Sequence, residues 1–170
     1  PVPYDFLSIN IGSTPQMSGV AGAAEHALPV KPVNGFNERW QLLLERVRRH
    51  AGATRIAVVG GGAGGVELTL AMQYRLRKEL HAAGRKPDAI SFHLLTRDAV
   101  ILPTHNARVR RAFERALAER GVVLRCNAEV KQVSATRLRT ASGETVDADE
   151  IGWVTRAGGA PWLRETGLAL

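Results

Sequence analysis

The sequence has one cysteine, few aromatic residues and no long apolar run without charges. Cys126 has no second cysteine with which to form an internal disulfide, a redox pair or a zinc site. The three Trp, two Tyr and four Phe do not interleave with basic residues as a platform for single-stranded nucleic acid requires. We therefore expect no nucleic-acid partner.

Other absences narrow the class of protein further. No stretch of about 18 uncharged apolar residues occurs, and the first residues lack the basic, apolar and small-residue order of a signal peptide. The five histidines lie on separate segments without metal-ligand spacing, so the sequence predicts no metal site and no hydrolytic triad. These features are typical of a soluble protein in a reducing compartment.

What remains is an ordinary globular composition. The chain has 170 residues, of which 45% are hydrophobic and 23% charged. A chain of this size buries about 70% of its unfolded surface, so it can build a core without crosslinks. The 23 Lys and Arg against 16 Asp and Glu leave a formal charge of +7, which favours anionic partners only weakly because the cations are spread along the chain.

Hydrophobic spacing and turn residues divide the first third of the chain. Residues 6–11 predict a buried strand, and the Gly-, Ala- and Pro-rich stretch that follows, to about Pro32, predicts a connector outside any core. Phe36 to Val47 have the spacing of an amphipathic helix, with Asn34 as the expected cap.

From Arg55 onwards, strand and helix patterns alternate. They predict strands at 56–59, 89–95 and 122–124, helices at 63–81 and 107–120, a meander at 129–134, 137–140 and 145–147, and a last strand at 151–155. Thr104 or Asn106 is expected to cap the second of these helices. The alternation predicts an α/β fold, with a Rossmann-like parallel sheet and an antiparallel β-meander.

A glycine-rich turn joins the first of these strands to its helix. Gly60, Gly62 and Gly65 match G-x-G-x-x-G in that context, where the glycines allow a tight turn, close approach of a pyrophosphate and close packing of the helix. The N–H groups and positive end of the helix then favour phosphate. The alternative is a turn that needs its glycines for packing alone. A Walker-type loop is excluded because no Lys-Ser or Lys-Thr pair follows.

The end of the second strand of the βαβ unit should face the adenosine ribose. Thr96, Arg97 and Asp98 stand there, so the first position lacks the carboxylate that accepts a hydrogen bond from the 2′-hydroxyl of NAD. Arg97 is suited to a 2′-phosphate and Asp98 to the role of a displaced acid. NAD and NADP both remain open, as does the interpretation of these residues as a solvated strand end.

Glu67 follows the glycine loop by two residues. A carboxylate early in the helix gains from the helix dipole but repels a pyrophosphate unless it points away from it. It therefore faces another part of the ligand or is a surface acid.

Together these residues resemble the two-dinucleotide-binding flavoproteins, which include the pyridine nucleotide-disulfide oxidoreductases and type II NADH dehydrogenases. The resemblance is carried by YDFLSINIGS at 4–13, VVGGGAGGVE at 58–67, Leu102-Pro103 and GWVT at 152–155. Arg156 departs from the glycine common at its position.

The resemblance implies that the chain is a fragment, inactive alone, of an FAD-dependent NAD(P)H dehydrogenase. Residues 36–155 would be its NAD(P)H-binding domain, residues 1–35 a flank of the FAD domain with a connector, and residues 156–170 the return towards that domain. It assigns no catalytic residue to the chain. The residues that it assigns to the dinucleotide site are Gly60, Gly61, Gly62, Ala63, Gly64, Gly65, Thr96, Arg97 and, near the nicotinamide, Glu67.

The activity that the resemblance implies is hydride transfer from NAD(P)H to FAD and on to an acceptor such as a quinone. Alternatives are a disulfide or ferredoxin reductase of the same architecture and a dinucleotide-sensing Rossmann module without catalysis. The implied partners are the nicotinamide dinucleotide, the rest of the parent flavoprotein, a second copy in a homodimer and, as in some relatives, a fused selenide, water dikinase. The implied location is cytoplasmic, either free or peripheral on the cytoplasmic face of the membrane.

Overall fold

The computed structural model describes residues 3–49, 52–155, 157–159 and 161–167; Arg156 lies outside these ranges. The helices are α1 Ala23–His26, α2 Val33–Arg49, α3 Ala63–Ala82 and α4 Ala107–Glu119, with 3₁₀ turns at Pro87–Ala89 and Pro161–Glu165. The strands are β1 Thr14–Pro15, β2 Leu28–Pro29, β3 Thr54–Val59, β4 Ile90–Leu95, β5 Val122–Arg125, β6 Val130–Ser134, β7 Arg137–Thr140, β8 Thr145–Asp147, β9 Glu150–Trp153 and β10 Ala157–Gly158. Among the described helices, none is long and apolar enough to cross a membrane.

A parallel sheet forms the centre of the described residues. Its five strands lie in the order β2-β9-β3-β4-β5, and every neighbouring pair is parallel. From β3 the chain winds through α3 and α4 towards β5, whereas β9 and β2 lie on the other side of β3. The strand order therefore reverses between β3 and β9, and ligands of open α/β sheets bind at the carboxyl edge of such a reversal.

Both faces of this sheet are buried, which explains the unbroken apolar run in β3. Ile56 and Val58 pack with α2, α3 and α4 in one hydrophobic cluster, while Ala57 and Val59 belong to a second cluster on the opposite face. Alternate residues of a strand point to opposite faces, and a strand covered on both sides is apolar at every position. The predicted α/β class with its parallel sheet is confirmed.

The second face is covered by a three-stranded antiparallel sheet in the order β6-β7-β8. Val133, Leu138 and Val146 of these strands are buried against the central sheet. The predicted meander is thus confirmed in position and pairing. Its three strands form one layer that packs on the face of the central sheet formed by β3, β4 and β9.

The strand predicted at 6–11 is wrong, because residues 6–13 have no regular secondary structure. Phe6 is 96% exposed and Leu7 61% exposed. Within the described ranges no strand pairs with this segment, and a β-strand persists only where a neighbour satisfies its backbone groups. Residues 6–11 have the apolar pattern of a strand, but no described strand pairs with them.

The prediction that the stretch to Pro32 is a connector outside any core is also wrong. Ala23 and Ala27 are buried in the second hydrophobic cluster, and β2 extends the central sheet beside β9. Small residues allow this stretch to pack closely under the meander without any helical or strand period in the sequence.

The helix caps give one error and one confirmation. Asn34 lies inside α2, which begins at Val33, and so does not cap it. At α4 the cap is Asn106, whose side chain accepts a hydrogen bond from the Val109 N–H at 3.0 Å. This is the arrangement expected of an N-cap asparagine.

At the amino edge of the sheet, Asp149 accepts hydrogen bonds from Arg55, at 2.8 Å from its N–H and 2.7 Å from Nη2. The bonded Arg55 guanidinium lowers the pKa of this carboxyl below its usual value. Its contribution to folding is therefore complete above the unfolded pKa of about 4 and is lost as the pH falls through the lower folded value. We expect Asp149→Asn to cost about 1 kcal/mol of unfolding free energy at pH 7 and progressively less as the pH falls below about 4.

Urea titrations of the two proteins from pH 7 to pH 2 measure this difference. The matched control is Asp88→Asn, which removes a carboxylate from the exposed 3₁₀ turn at Pro87–Ala89. A cost of Asp149→Asn that stays constant down to pH 2 would contradict the prediction.

Candidate dinucleotide-binding site

The glycine loop leaves β3 in a conformation that requires its first glycine. Gly60 has a φ of +132°, and a Cβ on it would lie 2.3 Å from the Val154 carbonyl oxygen. Its N–H donates to the Leu95 carbonyl at 2.8 Å, which holds the turn against the end of β4. The turn predicted at this position is confirmed, and it lies at the carboxyl edge between β3, β4 and β9.

The third glycine of the motif allows α3 to approach its own loop. A Cβ on Gly65 would lie 1.8 Å from the Gly60 carbonyl oxygen, far inside van der Waals contact. Gly65 is buried, and its carbonyl accepts a hydrogen bond at 2.7 Å from the buried Thr69 hydroxyl. This glycine therefore serves the packing of helix against turn.

The second glycine has a different environment, since it faces open space. Gly62 is the N-cap of α3, is exposed, and would place a Cβ within 4 Å of none of the other residues that the structure describes. No side chain caps this helix, and within the described ranges no backbone acceptor binds the N–H groups of residues 62–64. The start of α3 therefore presents free donors and the positive end of a helix dipole to whatever enters this space.

A cleft of about 770 Å³ opens in front of the loop. Its base is residues 59–62, and one wall is formed by residues 95–98 after β4. The opposite wall comes from residues 153–155, after β9. The lining is completed by four residues of the segment at 16–20, namely Gln16, Ser18, Gly19 and Val20, and by residues 128–131, where the meander begins. The volume lies within the range of small-molecule and cofactor sites.

The end of β4 supplies polar groups to this wall. Thr96 is buried, and its hydroxyl accepts a hydrogen bond from the Asp98 N–H at 3.3 Å. Arg97 and Asp98 are exposed, with 3.9 Å between Arg97 Nε and the Asp98 carboxylate. A Cβ on Gly61 would collide with the Thr96 side chain at 2.6 Å, so loop and strand end fit closely. The wall offers one exposed guanidinium and one exposed carboxylate, both beyond the buried threonine.

The opposite wall is tied to the chain that precedes α1. Trp153 Nε1 and the Thr155 hydroxyl both donate to the Gln16 carbonyl, at 3.0 and 2.9 Å. β1, in the segment before α1, also pairs antiparallel with β10, which follows β9 in the chain. The segment before α1 and the segment after β9 therefore lie side by side. Sequence patterns did not predict that residues 16–20 belong to the site, because the contact depends on pairs more than 130 residues apart.

The structure brings together only part of the predicted site. Gly60, Gly61, Gly62, Thr96 and Arg97 line the cleft. The other predicted residues, outside its lining, are Ala63, Gly64, Gly65 and Glu67.

Glu67 lies in the second turn of α3 and is exposed. Because Glu67 lies outside the cleft lining, its assignment to the nicotinamide stays a prediction. Within the described residues, no group of three or more His, Cys, Asp or Glu side chains is placed to hold a metal ion.

Comparison with known families accounts for this arrangement. The sequence profile of the pyridine nucleotide-disulphide oxidoreductases matches residues 1–170, the whole chain. The chain belongs to this family. No curated protein gives a significant sequence match.

Solved structures of pyridine nucleotide-disulphide oxidoreductase type share the fold. NDH2 of Plasmodium falciparum, in complex with NADH, is 15% identical with a TM-score of 0.72, covering 88% of this chain and 34% of its own. A NAD-dependent persulfide reductase from A. fulgidus is 23% identical with a TM-score of 0.71, covering 96% and 28%. An engineered water-forming NADPH oxidase bound to NADPH is 20% identical with a TM-score of 0.62, covering 86% and 29%. The chain thus spans about a third or less of the length of these proteins.

Proposed function

We propose that this chain is the NAD(P)H-binding portion of an FAD-dependent oxidoreductase that passes hydride from NAD(P)H to FAD and on to an acceptor such as a quinone. The observation that carries the proposal is the open space at Gly62. A glycine N-cap with free N–H groups faces a cleft at the strand-order reversal, and no side chain within the described ranges comes within 4 Å of a Cβ placed there. Family membership and the nicotinamide-dinucleotide complexes of structural neighbours support the same interpretation.

The cleft fits the diphosphate of a dinucleotide. The N–H groups of residues 62–64 would donate to the phosphate oxygens, and the positive end of α3 would favour their charge. Any residue but glycine at position 62 would place a side chain in this space, whereas Gly60 and Gly65 are explained by packing alone. Of the three motif glycines, only Gly62 therefore points to a ligand.

The chemistry would belong to the cofactors, since NAD(P)H donates a hydride and FAD accepts it. The residues of this chain bind and orient. Thr96 and Arg97 would face the adenosine side of the dinucleotide. Residues 153–155 would form the wall between the glycine loop and the segment at 16–20. No step of the reaction is assigned to an acid or base of this chain.

Equilibrium titration of the purified chain with NADH and with NADPH tests the binding that this function requires. Trp153 lies in the cleft wall, so quenching of its fluorescence reports occupancy, and calorimetry gives an independent Kd. We expect saturable binding of at least one of the two dinucleotides and none of free nicotinamide, because the loop contributes through phosphate. Absence of binding to both would refute the proposal.

Arg97→Gln tests the adenosine side of the cleft. Arg97 is exposed and its ion pair with Asp98 is long at 3.9 Å, so its donors are available to a 2′-phosphate. We expect the variant to lose roughly tenfold or more in affinity for NADPH and to keep its affinity for NADH. Arg139→Gln, an exposed arginine on β7 outside the cleft lining, is the matched control. Equal losses for both dinucleotides would contradict the 2′-phosphate role.

The acceptor is tested in the intact parent flavoprotein. Anaerobic mixing with NAD(P)H should bleach the FAD absorbance, and a soluble quinone should restore it. Reoxidation by a disulfide or by ferredoxin, but not by a quinone, would replace this acceptor with one of the alternatives.

A further inference from the structure

Lys131 occupies an irregular position in the meander. On β6, Val130 pairs with Thr140 and Gln132 with Arg139, so the register shifts between them and Lys131 is the extra residue of a β-bulge. The burial pattern shows the same break, because Lys131 and Gln132 are both exposed between the buried Val130 and Val133. A bulge redirects a side chain out of the regular alternation of its strand, and bulges are frequent beside active sites.

The backbone of this bulge is held from its other side by the segment before α1. The Ala21 N–H donates to the Lys131 carbonyl at 3.1 Å, and the Val133 N–H donates to the Ala21 carbonyl at 2.8 Å. Lys131 is thus fixed between two segments of chain, and it lines the same cleft as Gly60, Gly61 and Gly62. The residue that carries this ammonium group and the N-cap glycine of α3 therefore lie in the lining of one cleft.

The present partner of this ammonium group is easily exchanged. Lys131 Nζ donates to a Glu129 carboxylate oxygen at 2.7 Å, and the two side chains are 52% and 47% exposed. An ion pair with this exposure contributes little free energy, and an ammonium group has two further protons to donate. The other charged groups in the cleft lining are Arg97 and Asp98, which form their own pair.

We propose that Lys131 is a phosphate-binding residue of the dinucleotide site, which exchanges Glu129 for a phosphate oxygen when the ligand enters. The inference rests on the proposed function, because it requires that a dinucleotide occupies the cleft. The phosphate is either part of the pyrophosphate, common to NADH and NADPH, or the 2′-phosphate of NADPH alone. Each phosphate of the pyrophosphate carries one negative charge and the 2′-phosphate carries nearly two, and either would gain a charge-assisted hydrogen bond.

The test compares Lys131→Met, Glu129→Gln and the control Lys86→Met by titration with NADH and with NADPH. Lys86 is exposed, lies before β4 at the opposite edge of the sheet, and carries the same charge, so its variant controls for net charge. We expect Lys131→Met to weaken binding roughly tenfold or more relative to Lys86→Met. Glu129→Gln should strengthen it by about two- to fivefold, since it removes the competitor for Lys131.

The outcomes separate the two phosphates and the two proposals. A loss confined to NADPH identifies the 2′-phosphate, and an equal loss for NADH and NADPH identifies the pyrophosphate. Binding by Lys131→Met equal to that of Lys86→Met would overturn the role of Lys131 while leaving the proposed function standing. If the unaltered chain bound neither dinucleotide, both would fall.

Discussion

Gly62→Val is expected to lower the affinity for NADH and NADPH by about a hundredfold or more while the chain stays folded. The reason is that the new side chain would fill the space in which the free N–H groups of residues 62–64 meet a diphosphate. The described part of the fold accommodates the substitution, because a Cβ at this position lies within 4 Å of no other residue in that part. The cost in unfolding free energy is that of replacing a glycine N-cap by valine, about 1 kcal/mol.

Gly35→Val provides the matched control for this variant. Gly35 lies in α2, away from the cleft, and its Cβ would also meet nothing within 4 Å. Titration with both dinucleotides and urea unfolding are measured on the two variants side by side. Undiminished affinity of Gly62→Val would refute the diphosphate site, since the space at Gly62 carries it.

Gly65→Ala is expected to have the opposite profile, with a large loss of stability. Its Cβ would lie 1.8 Å from the Gly60 carbonyl oxygen, a backbone atom held by the hydrogen bond from the Gly60 N–H to Leu95. Neither α3 nor the turn can move away from this contact without separating elements that pack together. We therefore expect Gly65→Ala to lower the free energy of unfolding by about 3 kcal/mol or more. For a chain of this size the melting temperature should fall by roughly 6–12 °C.

The control for Gly65→Ala is its neighbour. A Cβ on Gly64 would contact Val154 Cγ1 at 3.5 Å, which is an ordinary van der Waals distance. Gly64→Ala should therefore leave the melting temperature unchanged or raise it slightly, because alanine favours the helix by up to about 1 kcal/mol over glycine. Thermal unfolding followed by circular dichroism measures both. Equal melting temperatures of the two variants would show that the close approach at Gly65 is not needed for folding.

Gly62 and Gly65 show which features of the site the glycine motif predicts and which it does not. G-x-G-x-x-G in a strand-to-helix context predicted the turn at Gly60, the packing role of Gly65 and the open position at Gly62. These features depend on backbone conformation and steric space within a few residues, which the local sequence encodes. The exposure of Glu67 depends on the direction in which α3 leaves the sheet, so spacing alone left its role undecided.

Lys131 marks the limit of pattern analysis in the meander. The sequence V-K-Q-V between 130 and 133 breaks the alternation of a half-buried strand, and that break is the signal of the bulge. Strand and turn signals alone did not predict that this residue lies in the cleft lining. Its position requires the irregular pairing of β6 with the next strand, β7, and the hydrogen bonds to Ala21, which is far away in the sequence.

By itself the sequence determined the order of the α-helices and strands from Thr54 to Trp153, the glycine turn, and Asn106 as one of two candidate caps. Periodicity, turn chemistry and capping act over a few neighbouring residues, so their signals are readable along the chain. Only the tertiary structure decided that residues 6–13 form no strand, that Ala23 and Ala27 are buried, and that residues 16–20 and Lys131 line the cleft. Each of these depends on a partner far away in sequence, and whether that partner is in reach is a property of the folded chain.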